Sequence, residues 1–184
     1  MPHRPAHLDP RSIFIDGPHP ATLDEGELLK QCKVDFGRVS GPGGQHRNKV
    51  ETAVTMVHVP TGVETRATER RSQAQNRGVA LFRLRLKLAI KVRTWVSRDN
   101  HRPSELWCRR RQGEKMSVNP EHLDYPALLA EALDLITARN FDIAGAAGRL
   151  GITMSQLARL VRHERHAFAM VNEGREATGL PKLK

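Results

Sequence analysis

The chain has 184 residues, of which 39% are hydrophobic and only 4% aromatic, so it can bury a core, and that core has to be built of Leu, Val, Ile and Ala. Its 30 Lys and Arg against 20 Asp and Glu give a net charge of +10, and residues 38–118 alone hold 18 of the cations against 6 acids, which suits a polyanion such as nucleic acid. Cys32 and Cys108, the only cysteines, sit in no C-x-x-C or Cys/His spacing, which excludes a disulfide framework and a cysteine-based metal site.

Residues 1–20, rich in Pro and His and without apolar periodicity, read as a flexible N-terminal arm. They offer no apolar stretch long enough for a signal peptide, and no window approaches a membrane span, so the expected location is the cytoplasm and no membrane partner is expected. Thr22 and Glu25 form a T-x-x-E capping box that predicts a short helix up to Cys32. Lys33–Val39 alternates apolar and polar residues at period two and predicts a strand. After a glycine-rich stretch, Val50–His58 and Val63–Thr68 are rich in β-branched residues and flank Pro60-Thr61-Gly62, the pattern of a hairpin.

The period changes at Ser72. From there to Val96, leucines and valines recur at three and four while Arg77, Arg83, Arg85, Lys87, Lys91 and Arg93 fill the gaps, which predicts a long basic helix with one face on the strands. Residues 98–119 lose periodicity and carry Arg109, Arg110 and Arg111, so a basic linker is expected there. Three further helices are expected over Tyr125–Ala138, Asp142–Leu150 and from Thr153 onward, the last opened by a second capping box, Thr153-x-x-Gln156. The fold class is α+β: a small β-sheet with a long packed helix, followed by a small all-α module.

The stretch SGPGGQHRNK, Ser40–Lys49, stands between two predicted strands. Gly43 and Gly44 can take positive φ and let a backbone approach a ligand closely, and Pro42 stiffens the side just before them. Such a loop presents the backbone N–H of Gln45 as a donor, and a donor aimed at developing negative charge is the basis of oxyanion stabilisation. His46, Arg47, Asn48 and Lys49 would seat that tip among phosphates.

With ETAV, HVPTGV and ERRSQAQNRGVAL following in order, residues 33–93 resemble the catalytic domain of class I peptide chain release factors and of their short, codon-independent ribosome-rescue relatives. Pro42 stands where that family usually carries a small residue, and Arg47 where an aliphatic one is common. The resemblance implies hydrolysis of the peptidyl-tRNA ester in the peptidyl transferase centre of the large ribosomal subunit. Gly43, Gly44 and Gln45 would be the catalytic residues, with the Gln45 N–H stabilising the tetrahedral intermediate or leaving oxygen and its side chain orienting water. The large-subunit 23S-type RNA and the tRNA would supply the rest of the site, which fits a loop without a catalytic triad beside it. It also implies RNA contacts by Arg70, Arg71, Ser72, Gln73 and Arg77, a methyltransferase as a possible partner acting on Gln45, and no cofactor or metal.

The domains that follow are an arm over 1–20, a release-factor-like unit over 21–97, the basic linker over 98–119 and a helical module over 120–184. Some 40 residues before the loop leave no room for a codon-reading domain, so release without a stop codon is expected. The cation-dense tail usual in rescue factors is replaced by a segment resembling a helix-turn-helix unit, with Ala147, Gly151 and Leu157 at the turn and Ser155, Gln156, Arg159, Arg162 and His163 on its second helix. Its ligand stays open between RNA, a ribosomal protein and DNA, and a non-hydrolytic RNA-binding protein is the alternative to the enzyme.

Overall fold

The computed structural model describes residues 12–38 and 51–184. They divide into one unit spanning residues 20–88 and another formed by residues 12–19 with 89–184.

Ile13–Ile15 makes strand β1, a single 3-10 turn follows at Pro20–Thr22, and helix α1 covers Glu25–Lys30. The expected box from Thr22 does not open α1. Thr22 closes the 3-10 turn, and Asp24 is the N-cap, its carboxylate accepting the Glu27 N–H at 2.8 Å. An Asp caps as well as a Thr, and it adds negative charge at the positive end of the helix.

Strands β2 (Cys32–Gly37), β3 (Ala53–His58) and β4 (Val63–Ala67) form an antiparallel sheet in that order. Cys32 pairs with His58 and Gly37 with Ala53; Val54 pairs with Ala67 and His58 with Val63. The β3–β4 turn needs a left-handed residue, and Gly62 supplies it at φ +67, its N–H reaching His58 O at 2.8 Å. His58 is buried and fixes the turn through both ring nitrogens, one 2.9 Å from Gln31 Oε1 and the other 2.7 Å from Thr61 Oγ1.

Helix α2 runs from Gln73 to Lys91. Ala80, Leu81, Leu84 and Leu88 are buried in one core with Leu28, Val54, Met56, Val63 and Ala67, and the Thr65 hydroxyl joins sheet to helix by donating to Ala80 O at 3.0 Å. The expected helix to Val96 stops earlier because Arg93 turns back over the last turn. Its guanidinium donates to Ala89 O and, at 2.7 Å, to Ile90 O. Val92–Thr94 then forms strand β5, which pairs in parallel with β1, Ile13 opposite Val92 and Ile15 opposite Thr94. Residues 13–15, expected in a flexible arm, are therefore sheet-bound.

Residues 98–119, read from the sequence as a linker, hold helix α3 (Glu105–Arg110) and the two-residue strands β6 (Arg111–Gln112) and β7 (Lys115–Met116) of a tight hairpin. The cause is one side chain. Trp107 is wholly buried and its indole N–H donates to Leu150 O at 2.9 Å.

Helices α4 (Tyr125–Ala138), α5 (Ile143–Leu150), α6 (Met154–Arg162) and α7 (Arg165–Ala177) complete that unit. Asp142 caps α5 and Thr153 caps α6, by side-chain bonds of 3.0 Å to Gly145 N–H and 3.3 Å to Gln156 N–H. The core is aliphatic, with Leu128, Leu133, Ile136, Ile143, Leu150, Leu157, Val161 and Val171 all buried. Between α4 and α5 the chain takes two successive left-handed residues, Asn140 and Phe141, and the Phe141 N–H caps α4 by donating to Ile136 O at 2.8 Å. One ion pair lies within this unit at 1% and 3% exposure: Arg93 Nη1 donates to Asp134 Oδ1 at 2.8 Å, and the Thr94 hydroxyl donates to Oδ2.

Candidate nucleic-acid interface

Gly43, Gly44, Gln45, His46, Arg47, Asn48 and Lys49 lie outside the described residues. The structure does define where their segment is anchored. It leaves β2 after Gly37 and re-enters β3 at Ala53, and these two residues are register partners. Arg38 and Glu51 face one another just beyond that pair at 3.6 Å, both more than half exposed, so the ion pair contributes little.

The stronger anchor comes from the start of α2. Gln73 Nε2 donates to Glu51 O at 2.9 Å. Asn76, fully buried, donates to Thr52 O at 2.6 Å and to Arg70 O at 3.0 Å, and accepts the Arg70 N–H at 2.9 Å. One amide thus joins three pieces of chain: the residue entering β3, the link after β4, and the helix. The preceding residue, Ser72, helps begin that helix, its carbonyl accepting the Asn76 N–H at 3.0 Å and its hydroxyl lying 3.5 Å from the Gln75 N–H. Gln73 and Ser72, expected as RNA contacts, spend polar atoms on the loop base and the helix start. Asn76 was not singled out by the sequence, although it lies inside the SQAQNR stretch that carries the resemblance. Its only signal was an amide at a position where the helix turns an apolar face inward.

The cations divide by what already holds them. Arg70 and Arg71 are exposed. Arg77 is half exposed and 3.9 Å from Glu25, a weak pairing. Further along α2, Arg83 Nη1 donates to Arg66 O at 3.1 Å and Lys87 Nζ to Glu64 O at 2.8 Å, so two side chains one turn apart cover carbonyls of the edge strand β4. Arg83 also reaches Glu69, whose carboxyl is held below its usual range first by the Thr68 N–H and only secondarily by Arg83. Arg85 donates to Ala21 O at 2.9 Å, and its burial lowers its pKa. The basic face expected of this helix is thus largely tied to backbone oxygens.

In the other unit, Arg109 is exposed. Arg110 Nη2 pairs with Asp124 at 2.6 Å and also lies 2.9 Å from His122 Nε2, and Arg111 donates to Gly151 O at 3.1 Å. Of the triplet expected on RNA, Arg109 is the one whose guanidinium has no partner among the described residues. Among the described residues no group of three His, Cys, Asp or Glu side chains could hold a metal ion, and no helix is long and apolar enough to cross a membrane.

A family model described as the RF-1 domain matches residues 28–119. Similar curated proteins include peptide chain release factor PrfB1, chloroplastic, of Arabidopsis thaliana, 54% identical over 57 residues, which are 31% of this chain and 12% of the relative. Peptide chain release factor 1, mitochondrial, of Bos taurus is 34% identical over 112 residues, 61% of this chain and 23% of the relative. Peptide chain release factor 2 of Lactiplantibacillus plantarum is 48% identical over 67 residues, 36% of this chain and 18% of the relative. The chain spans less than a quarter of the length of these relatives.

Proposed function

Because the chain belongs to the RF-1 domain family, which its residues 28–119 match, we propose that it releases nascent peptide by hydrolysing the peptidyl-tRNA ester in the large ribosomal subunit. The observation that carries this reading is the anchoring of the Gly-Gly-Gln segment, which is framed by register partners Gly37 and Ala53 and tied down at Glu51 and Thr52 by Gln73 and Asn76. Such an anchor serves chemistry in which the protein positions one or two donors and RNA supplies the rest. Gly43 and Gly44 form the approach, the Gln45 N–H stabilises the oxyanion, and the Gln45 side chain orients water. Positions 46–49 with Arg70, Arg71, Arg77 and Arg109 contact RNA phosphate.

The finer reading is release that reads no stop codon, on stalled ribosomes or on large subunits carrying peptidyl-tRNA. Residues 21–97 act as the hydrolytic unit, and residues 120–184, a helix-turn-helix-like module, serve recruitment. The test is release of labelled peptide from ribosomes with peptidyl-tRNA in the P site, on truncated messages, on sense codons, on stop codons and on isolated large subunits. Release that vanishes in Gln45→Ala and is indifferent to a stop codon supports both parts. Release confined to stop codons would overturn the codon-independent part, and binding without release on any substrate would leave a non-hydrolytic RNA-binding protein.

A further inference from the structure

In the 89–184 unit, residues 115–118 and one face of α6 enclose an open cleft of about 190 Å³. Clefts for drug-sized ligands run to roughly 300–1,000 Å³, so this one suits a single group of a longer molecule. Its lining is rich in donors: Lys115, Gln156, Arg159 and His163 rise around a floor that includes Met116 and Leu160, and no carboxylate lines it. Lys115 and Arg159 are exposed cations without an ion pair among the described residues. Of the neighbouring acids in the chain, Glu164 is occupied by the His166 N–H and ring at 3.0 and 2.9 Å.

The two walls are fixed to each other. Thr153 N–H donates to Glu114 O at 3.1 Å, and Met116 N–H donates to Gln156 Oε1 at 3.4 Å, which orients the Gln156 amide with its N–H₂ group left to donate elsewhere. Arg159 and His163 follow at three and seven residues after Gln156, so the three project from one side of α6. Glu114, beside Lys115 in the chain, is exposed and outside the lining, so a cleft with fixed walls, cationic and amide donors and no carboxylate of its own is built for an anion.

We propose that this cleft seats a phosphate of an RNA backbone, with Lys115 and Arg159 as its charged contacts. The choice of RNA over DNA follows from the wall at 115–118. A duplex major groove about 12 Å wide is filled by a helix 10–12 Å across. Here Gln156, Arg159 and His163, three of the residues expected to read bases, share the cleft with residues 115–118, a wall for which a groove already filled by α6 leaves little room, so the site favours contact to backbone phosphate. The RNA partner rests on the ribosomal reading above.

Binding of the full chain to protein-free large-subunit ribosomal RNA, and to a generic duplex DNA, is measured over a series of salt concentrations. For Lys115→Ala, Arg159→Ala and the double replacement, the slope of log affinity against log salt on RNA becomes shallower by about 0.7–0.9 for each cation removed. Arg159→Lys restores most of it. Both residues are exposed, and far-ultraviolet circular dichroism of each variant checks the fold. An unchanged slope in well-folded variants, or tighter binding of the wild type to the DNA than to the RNA, overturns the proposal. The assay contains no peptidyl-tRNA, so a wild type that binds RNA with this slope yet releases no peptide would sink the hydrolytic reading and leave the cleft standing. The converse, release by the wild type with cleft variants that bind as it does, would sink the cleft alone.

Discussion

The side-chain amide of Asn76 grips the backbone of Arg70 from both sides, accepting its N–H at 2.9 Å and donating to its carbonyl at 3.0 Å. Its second N–H goes to Thr52 O, one residue before β3 begins. The anchoring of the Gly-Gly-Gln segment therefore depends on a residue that faces inward.

Asn76→Asp keeps the volume but points a carboxylate at two carbonyls. It should lower stability more than Asn76→Ala, which leaves polar groups unpaired at about 1–3 kcal/mol each where water cannot reach them. Urea titration of both variants checks the order; Asp equal to wild type would mean that the hydrogen bonds are unimportant.

His58 supplies a pH dependence. Burial holds its pKa below the usual 6.5, so the folded chain favours the neutral ring. A group with a depressed folded pKa gives stability that is present above the unfolded value and is lost as pH falls. Thermal melting should therefore show a loss beginning below about pH 6.5 and levelling off below the lowered folded pKa. In His58→Gln that component should be missing; the same acid slope in the variant would assign it to another group.

The buried Arg93–Asp134 pair predicts a non-additive result. Asp134→Ala leaves a guanidinium without its counter-charge at 1% exposure and should cost about 3–5 kcal/mol. Arg93→Met with Asp134→Leu should be less destabilised than Asp134→Ala alone, measured by denaturant unfolding, because neither charge is then stranded. A double variant at least as unstable as the single would show that the pair's geometry is needed.

Gly174 lies in α7, where an added Cβ would stand 2.3 Å from two carbons of the Phe141 ring. That ring is 3% exposed, and its own backbone is left-handed, so it has little room to yield. Gly174→Ala should cost about 1–3 kcal/mol despite its better helix propensity. Gly174→Ala combined with Phe141→Leu should recover part of the loss in melting temperature.

Periodicity made much of this fold readable. The β3–β4 hairpin, the start of α2 and the caps Asp142 and Thr153 all follow from local chemistry, and the bounds of α4 coincide with its apolar run. What escaped depends on contacts between distant residues. Strand β1 is only three residues and owes its state to Val92–Thr94, and α3 is held by a tryptophan whose partner is Leu150. The same limit applies to the interface. A count of arginines cannot show that Arg83, Arg85, Arg110 and Arg111 are committed to carbonyls or a carboxylate while Arg71 and Arg109 remain exposed.

The parallel pairing of β1 with β5 sets an order on how this chain emerges during synthesis. β1 leaves the ribosome before its partner, which follows only after the whole of residues 20–88, a stretch that holds all of the β2–β3–β4 pairings. At roughly 5–20 residues per second, Ile13–Ile15 waits several seconds as an unpaired apolar strand while the segment behind it can already fold. A strand made before that segment is thus secured only after it.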